Sequence, residues 1–229
     1  MKKYLMEITF AIIICLVIVL ISQNKKSEKV EREYYNGLPV TISQVLFLHN
    51  TSIPERAVGV SDYVFVAKIN KILRTEYKNP TEVQVNLFKK KIITTPYTVY
   101  SIDVIENIKG NLITTESIEY MQYGGLDEDK KGYTFMRDTS LLNEGEYYIL
   151  LAETFGGHGG IIEVTDSNRR IPLGSDYNLE LETVSNTINK YKRAYENEIV
   201  PVDQNGQKRE RIISKYDMNY EEIYKKYSN

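Results

Sequence analysis

Cysteine and histidine are both scarce in this chain. The one cysteine, Cys15, lies inside an N-terminal apolar run, so the rest of the chain contains no thiol. This excludes a disulfide framework, a cysteine-based zinc site and a thiol nucleophile from that remainder. The only histidines, His49 and His158, are far apart in sequence and do not form a metal-ligand pattern. We therefore expect no metal, no cofactor and no catalytic constellation.

A strong charge of either sign is also missing. The chain has 29 Lys and Arg against 31 Asp and Glu, a formal net charge of −2. This balance gives no electrostatic support for a nucleic-acid partner. With 42% apolar and 26% charged residues, the composition is typical of a globular protein, and 229 residues are enough for one domain with a sizeable core.

The longest apolar run is at the N-terminus, in "MKKYLMEITFAIIICLVIVLISQNKK". Residues 4–22 would form roughly 28 Å of helix at ~1.5 Å per residue, which matches one hydrocarbon core. The alternative is a buried core helix. It is disfavoured because a helix in a soluble core does not need such an unbroken run of aliphatic residues. No small-residue cleavage site follows Ile21. We predict an uncleaved signal-anchor helix over residues 1–22, a polar stalk over 23–37, and a domain outside the cell membrane.

Alternation of apolar and polar residues dominates the chain from residue 38 onward, as in "TEVQVNLF". Six short strands with turn signals between them predict a mainly β domain over 38–175. Its expected architecture is an OB-like antiparallel barrel of five to six strands, with a sandwich as the alternative. Phe65 and Leu150 are our predicted core positions. Over 176–229, apolar residues recur at three- and four-residue steps, which predicts two helices.

Three segments carry a resemblance to a known family. "SDYVFVAKINKI", "YTVYSIDVIENIKG" and "LLNEGEYYILLAE" resemble a pattern of uncharacterised exported proteins of Gram-positive bacteria. Such domains are similar to the oligonucleotide/oligosaccharide-binding (OB) barrel of tissue-inhibitor-of-metalloproteinase and netrin modules. The resemblance covers roughly 61–174 and implies a fold rather than an activity. Those inhibitors chelate the protease zinc through an N-terminal cysteine, and a domain without cysteine excludes that mechanism.

The stretch "FGGHGGI", residues 155–161, places four glycines around His158. A phosphate-binding loop would open a helix, whereas "IIEV", a strand pattern, follows here. Glycine supplies the positive φ angles that a hairpin needs. We interpret the stretch as a turn between two strands, and we keep His158 as a candidate binding residue because a ligand role is the alternative.

Charged runs supply the other candidate positions. In "FKKKI", Lys89, Lys90 and Lys91 are candidate binding residues for anionic lipid or wall polymer, at around 1 kcal/mol each, and the alternative is a solvated loop. In "DEDKKG", residues 127–132, the acidic spacing partly fits a calcium loop. Lys131 occupies a ligand position and no helical pattern flanks the run, so we interpret it as a solvated loop.

Two functional hypotheses follow. The first is a membrane-anchored binding module at the cell envelope for a protein, peptide or glycan, with tyrosine-rich strands either packing the sheet or stacking on sugar rings. A protease-inhibitor-like module without cysteine is a variant of it. The second is an envelope hydrolase that uses the carboxylates of Glu153 and Glu163, near His158. No feature of the sequence marks these two carboxylates as a pair, so the binding module is preferred.

Overall fold

The computed structural model describes residues 33–43, 49–86, 88–164 and 166–227. The predicted signal-anchor over 1–22 and most of the predicted stalk lie outside these residues. Within the described ranges, no helix combines the length and apolar character needed to cross a membrane. The chain from Tyr34 onward forms one compact unit.

This unit is mainly β, with ten strands and three helices in the part of the chain that the structure describes. The strands are β1 (Tyr34–Tyr35), β2 (Leu38–Ser43), β3 (Tyr63–Asn86), β4 (Lys89–Lys109), β5 (Ile118–Tyr123), β6 (Gly125–Leu126), β7 (Tyr133–Met136), β8 (Tyr147–Phe155), β9 (Ile161–Val164) and β10 (Arg170–Gly174). The helices are α1 (Pro54–Val60), α2 (Glu182–Glu196) and α3 (Tyr220–Tyr227).

Five strands close into a barrel in the order β8, β3, β4, β5, β9 and back to β8. The predicted barrel is therefore confirmed, but its predicted antiparallel character is wrong. β9 is antiparallel to β8 and parallel to β5. The reason is geometric, because strand directions cannot alternate all the way around a ring with an odd number of members. A small sheet, β1–β2–β7–β6, contains a second parallel pair, β2 with β7.

The barrel interior follows from the alternation along β3, whose inward side chains are Tyr63, Phe65, Ala67 and Ile69. Phe65 pairs in register with Leu150 of β8, and both are fully buried, which confirms the predicted core positions. The opposite faces of β3 and β8 pack against α1 and α2 and form a second apolar cluster. The two C-terminal helices were predicted, whereas α1, only seven residues long with Pro54 at its start, was not.

The longest element is a two-stranded ribbon that the alternation predicted as separate short strands. β3 pairs with β8 only over Tyr63–Lys68, and β4 pairs with β5 only over Thr98–Ile102. Beyond those points the two strands pair with each other as far as Asn86 and Lys89. We call residues 72–86 and 88–97 the ribbon. Its shorter side, residues 88–97, spans roughly 33 Å at ~3.3 Å per residue.

Candidate functional site

The glycine-rich stretch forms the turn that its composition predicted, between β8 and β9. Gly156, Gly157 and Gly159 have φ angles of +88°, +86° and +83°, values that L side chains adopt rarely. The turn also has a structural partner that the sequence did not indicate. The backbone N–H of Ile213 donates to His158 Nδ1 (3.1 Å), and the N–H of Gly159 donates to the carbonyl of Ile213 (2.7 Å).

That partner belongs to an irregular segment, residues 209–217, which we call the C-terminal strap. Its anchor is Asp62, a fully buried carboxylate at the start of β3. Asp62 accepts hydrogen bonds from Arg209 (2.8 Å), from the N–H of Ile212 (3.0 Å) and from the N–H of Thr154 (2.8 Å). This set satisfies the carboxylate and fixes the strap against the barrel, so we assign these groups a structural role.

The next residue, Tyr63, continues the same attachment from inside the barrel. Its hydroxyl accepts from the N–H of Ser214 (2.8 Å) and donates to Asp217 Oδ2 (3.0 Å). Burial raises the pKa of this tyrosine well above its ordinary value. The Ser214 hydroxyl donates to the carbonyl of Gly160 (2.7 Å). His158 therefore lies at the seam between a turn and the strap, although its side chain is exposed.

The structure brings the two carboxylates of the hydrolase hypothesis together. Glu153 and Glu163 are direct partners in the antiparallel β8–β9 pair, on the outer face of the barrel. Arg169 donates to Glu153 (2.6 Å). The Nε of Arg169 lies 3.1 Å from Asp166 Oδ2, close enough for an ion pair but not aligned for a hydrogen bond.

The environments of the two carboxylates differ. Glu163 is only 6% exposed, and burial, reinforced by the negative charge of Glu153, raises its pKa to about 7. Lys78 and Arg169 oppose that shift. The ammonium group of Lys78 lies 4.7 Å from the ring centroid of Phe155 on the same face. Glu163 is therefore a buried carboxyl group whose pKa is raised to about 7, beside a carboxylate that is ion-paired with an arginine.

A groove of about 590 Å³ lies elsewhere, between the ribbon and the small sheet. Its walls are residues 91–96 of β4, Thr41 and Ser43 of β2, Thr134 of β7, Tyr123, and the acidic loop 127–129. Neither Glu153 nor Glu163 lines it, and of the predicted binding residues only Lys91 does. The sequence did not predict this groove because its walls come from segments that only the fold brings together.

The acidic loop is held in place by hydrogen bonds to both sides of the groove. Thr94 donates to Glu128 Oε2 (2.9 Å), and Thr134 donates to Asp127 Oδ1 (2.7 Å). Lys91 lies 3.9 Å from Asp129, a weak pairing between exposed groups. The groove thus presents three carboxylates against one lysine, together with hydroxyl groups and the apolar surface of Ile92, Ile93, Pro96 and Tyr123.

The basic run occupies the tip of the ribbon. Lys89, Lys90 and Lys91 begin β4, directly after Phe88. Lys90 pairs with Glu82 across the ribbon (2.6 Å), and both side chains are exposed. The predicted solvated loop is thus a hairpin tip that presents lysines next to an exposed aromatic ring.

Residues 127–129 of the acidic run, whose spacing partly fits a calcium loop, form one edge of the groove. In the described ranges, no set of three or more His, Cys, Asp or Glu side chains is arranged to hold a metal ion.

No protein-family model matches this sequence, and no curated protein is recognisably similar to it.

Proposed function

We propose that this protein is a membrane-anchored binding module on the outer side of the cell membrane, and that the groove receives an extended peptide segment of an envelope protein. The groove is the observation that carries the proposal. Its volume of about 590 Å³ falls within the range typical of ligand sites, roughly 300–1,000 Å³. The anchor is the apolar run at residues 4–22. A closed five-stranded barrel is compatible with the OB type that we propose for this domain.

One wall of the groove is a strand edge. In the described part of the chain, residues 89–95 of β4 form a ladder with β3 alone, whereas the carbonyl of Pro96 accepts from the N–H of Gly124. Residues 91–96 of that strand line the groove. A strand edge offers backbone N–H and C=O groups that an extended peptide can pair with by strand addition. This geometry favours a peptide over a glycan.

The charges of the groove favour a basic peptide. Asp127, Glu128 and Asp129 face a single lysine, so a ligand with Lys or Arg side chains would find complementary charge. Ile92 and Ile93 are exposed beside these carboxylates and would contact the apolar parts of such a ligand. Specificity would then come from the carboxylates, and much of the affinity from strand pairing.

Site-specific photo-crosslinking in native membranes tests this proposal. A photoreactive amino acid at Ile93 in the full chain is expected to capture a partner through a peptide with basic residues. The same group at Leu179, which is exposed and outside the groove, serves as the control. Capture that is equal from both positions would contradict a role for the groove.

The carboxylate pair supports a second candidate, an envelope hydrolase. Burial raises the pKa of Glu163 to about 7, and its neighbour Glu153 is ion-paired with Arg169, so the two carboxylates have the different environments that acid–base catalysis uses. This candidate predicts that the protein degrades cell-wall material and that Glu163→Gln abolishes the degradation without unfolding the chain. Wall digests that are identical with and without the wild-type protein would contradict it.

A further inference from the structure

The tip of the ribbon combines an exposed aromatic side chain with a cluster of positive charge. Phe88, in the turn between β3 and β4, is 97% exposed. Val85 and Ile92 nearby are 54% and 65% exposed. Full exposure of a phenylalanine ring to water is unfavourable, because apolar surface is stabilised when it leaves water. The tip therefore has the character of a surface that another phase or molecule covers.

The charge of the tip is opposite in sign to that of the whole chain. Lys90 pairs with Glu82 of the ribbon, and Lys91 lies 3.9 Å from Asp129 of the acidic loop; both are pairings between exposed groups. Lys89 makes no ion pair with any residue that the structure describes. The net charge of the chain is −2, so this positive end is a local feature and not a consequence of composition. Lysines next to exposed apolar residues fit an anionic interface with an apolar layer behind it.

We propose that the ribbon tip is a membrane-contacting element, which inserts Phe88 into the interfacial layer of an anionic bilayer while the three lysines contact lipid headgroups. A soluble polyanion, such as a wall polymer, would attract the lysines but would leave the phenylalanine ring in water. The aromatic ring is therefore the feature that favours the bilayer. This contact is separate from the predicted N-terminal anchor. Lys91 and Ile92 also line the groove, whereas Phe88, Lys89 and Lys90 do not.

The absence of tryptophan from the chain gives a direct test. Phe88→Trp places the only tryptophan of the protein at the ribbon tip, where it can be excited selectively over the 19 tyrosines. The full chain is reconstituted into vesicles of phosphatidylcholine alone, or of phosphatidylcholine and phosphatidylglycerol in equal parts. We expect a blue-shifted emission and quenching by brominated lipid only in the vesicles that contain phosphatidylglycerol.

Two matched variants complete the test. Leu179→Trp, exposed and outside the ribbon, should give the same solvent-exposed emission in both kinds of vesicle. Changing Lys89, Lys90 and Lys91 to Gln in the Phe88→Trp chain should lower the equilibrium constant for insertion of the tip by about fivefold for each lysine removed.

Three results would overturn the proposal. The first is solvent-exposed emission from Phe88→Trp in both kinds of vesicle. The second is an equal blue shift in neutral and anionic vesicles, which would remove the role of the lysines. The third is an emission that responds to added soluble polyanion and not to lipid, which would assign the tip to a wall polymer. Circular dichroism of each variant confirms that the fold is retained.

Discussion

Replacing Glu163 by glutamine should change how the stability of this protein depends on pH. The side chain is almost completely buried on the outer face of the barrel, opposite Glu153. Burial is the main cause that raises its pKa from 4.5 to about 7, and the charge of Glu153 adds to the effect. Glutamine keeps the size of the side chain and cannot ionise, so Glu163→Gln isolates the consequence of that proton.

The sign and size of the effect follow from the two pKa values. Between pH 4.5 and 7 the unfolded chain releases this proton while the folded protein retains it, so stability falls as the pH rises. Below that window Glu163 imposes no penalty. Above it, the penalty is constant at about 3 kcal/mol, since each pKa unit corresponds to about 1.4 kcal/mol. Glu163→Gln should remove this slope and stabilise the protein above pH 7.

Thermal unfolding of the full chain in detergent, measured from pH 4 to pH 8, tests this expectation. For a domain of this size, about 3 kcal/mol corresponds to a rise of roughly 6–12 °C in Tm at the upper end of the window. Glu180→Gln, at an exposed position, is the matched control and should follow the wild type. Parallel pH curves for Glu163→Gln and the wild type would refute the account of this buried carboxyl group.

Three further predictions concern the core, the strap and the glycine-rich turn. Phe65→Ala should destabilise the protein by about 3–5 kcal/mol, because a fully buried ring is removed from the barrel. Asp62→Ala should cost about 3–5 kcal/mol, because it leaves Arg209 without its buried partner, and limited proteolysis should then cut within the strap. His158→Ala should cost about 1 kcal/mol, because it removes the acceptor of one hydrogen bond. Gly159→Val should cost more, because the φ angle of Gly159 is +83° and a Cβ there would lie 2.7 Å from the hydroxyl of Tyr220.

Chemical denaturation measures the stability of each variant. A different result would contradict the prediction for each of the three regions. A Phe65→Ala protein as stable as the wild type would place that ring outside the core. For the strap, Asp176→Ala is the exposed control, and equal proteolysis of the two aspartate variants would remove the anchoring role of Asp62. If His158→Ala destabilised the chain more than Gly159→Val, the side chain and not the backbone would hold the turn.

The local pattern of the sequence predicted much of the fold. Alternation identified the strands of the barrel, because one face of each strand is buried and the other is not. The same pattern was interrupted between Leu73 and Thr81, so β3 was predicted as two strands. Cross-strand pairing with β4 keeps this interrupted region extended. α1 was missed because a seven-residue helix takes its stability from packing on β8 and α2.

The candidate sites depended more strongly on tertiary structure. His158 was assigned to a turn from its neighbouring glycines, but its contact with Ile213 joins segments distant in sequence. The pairing of Glu153 with Glu163 needed the register of β8 and β9, which only the structure gives. The groove required the ribbon, the small sheet and the acidic loop to meet. Residue types indicated the lysine cluster but not its position at a hairpin tip.

Selection of peptides from a random displayed library on the full chain tests the central claim, that the groove binds an extended, basic peptide. The matched comparison uses two double variants that remove the same charge: Glu128→Gln with Asp129→Asn in the groove, and Glu180→Gln with Asp176→Asn outside it. The account predicts that the wild type and the outer variant enrich the same Lys- and Arg-rich peptides and that the groove variant does not. Enrichment of the same peptides by all three chains, or of peptides without basic residues by the wild type, would contradict it.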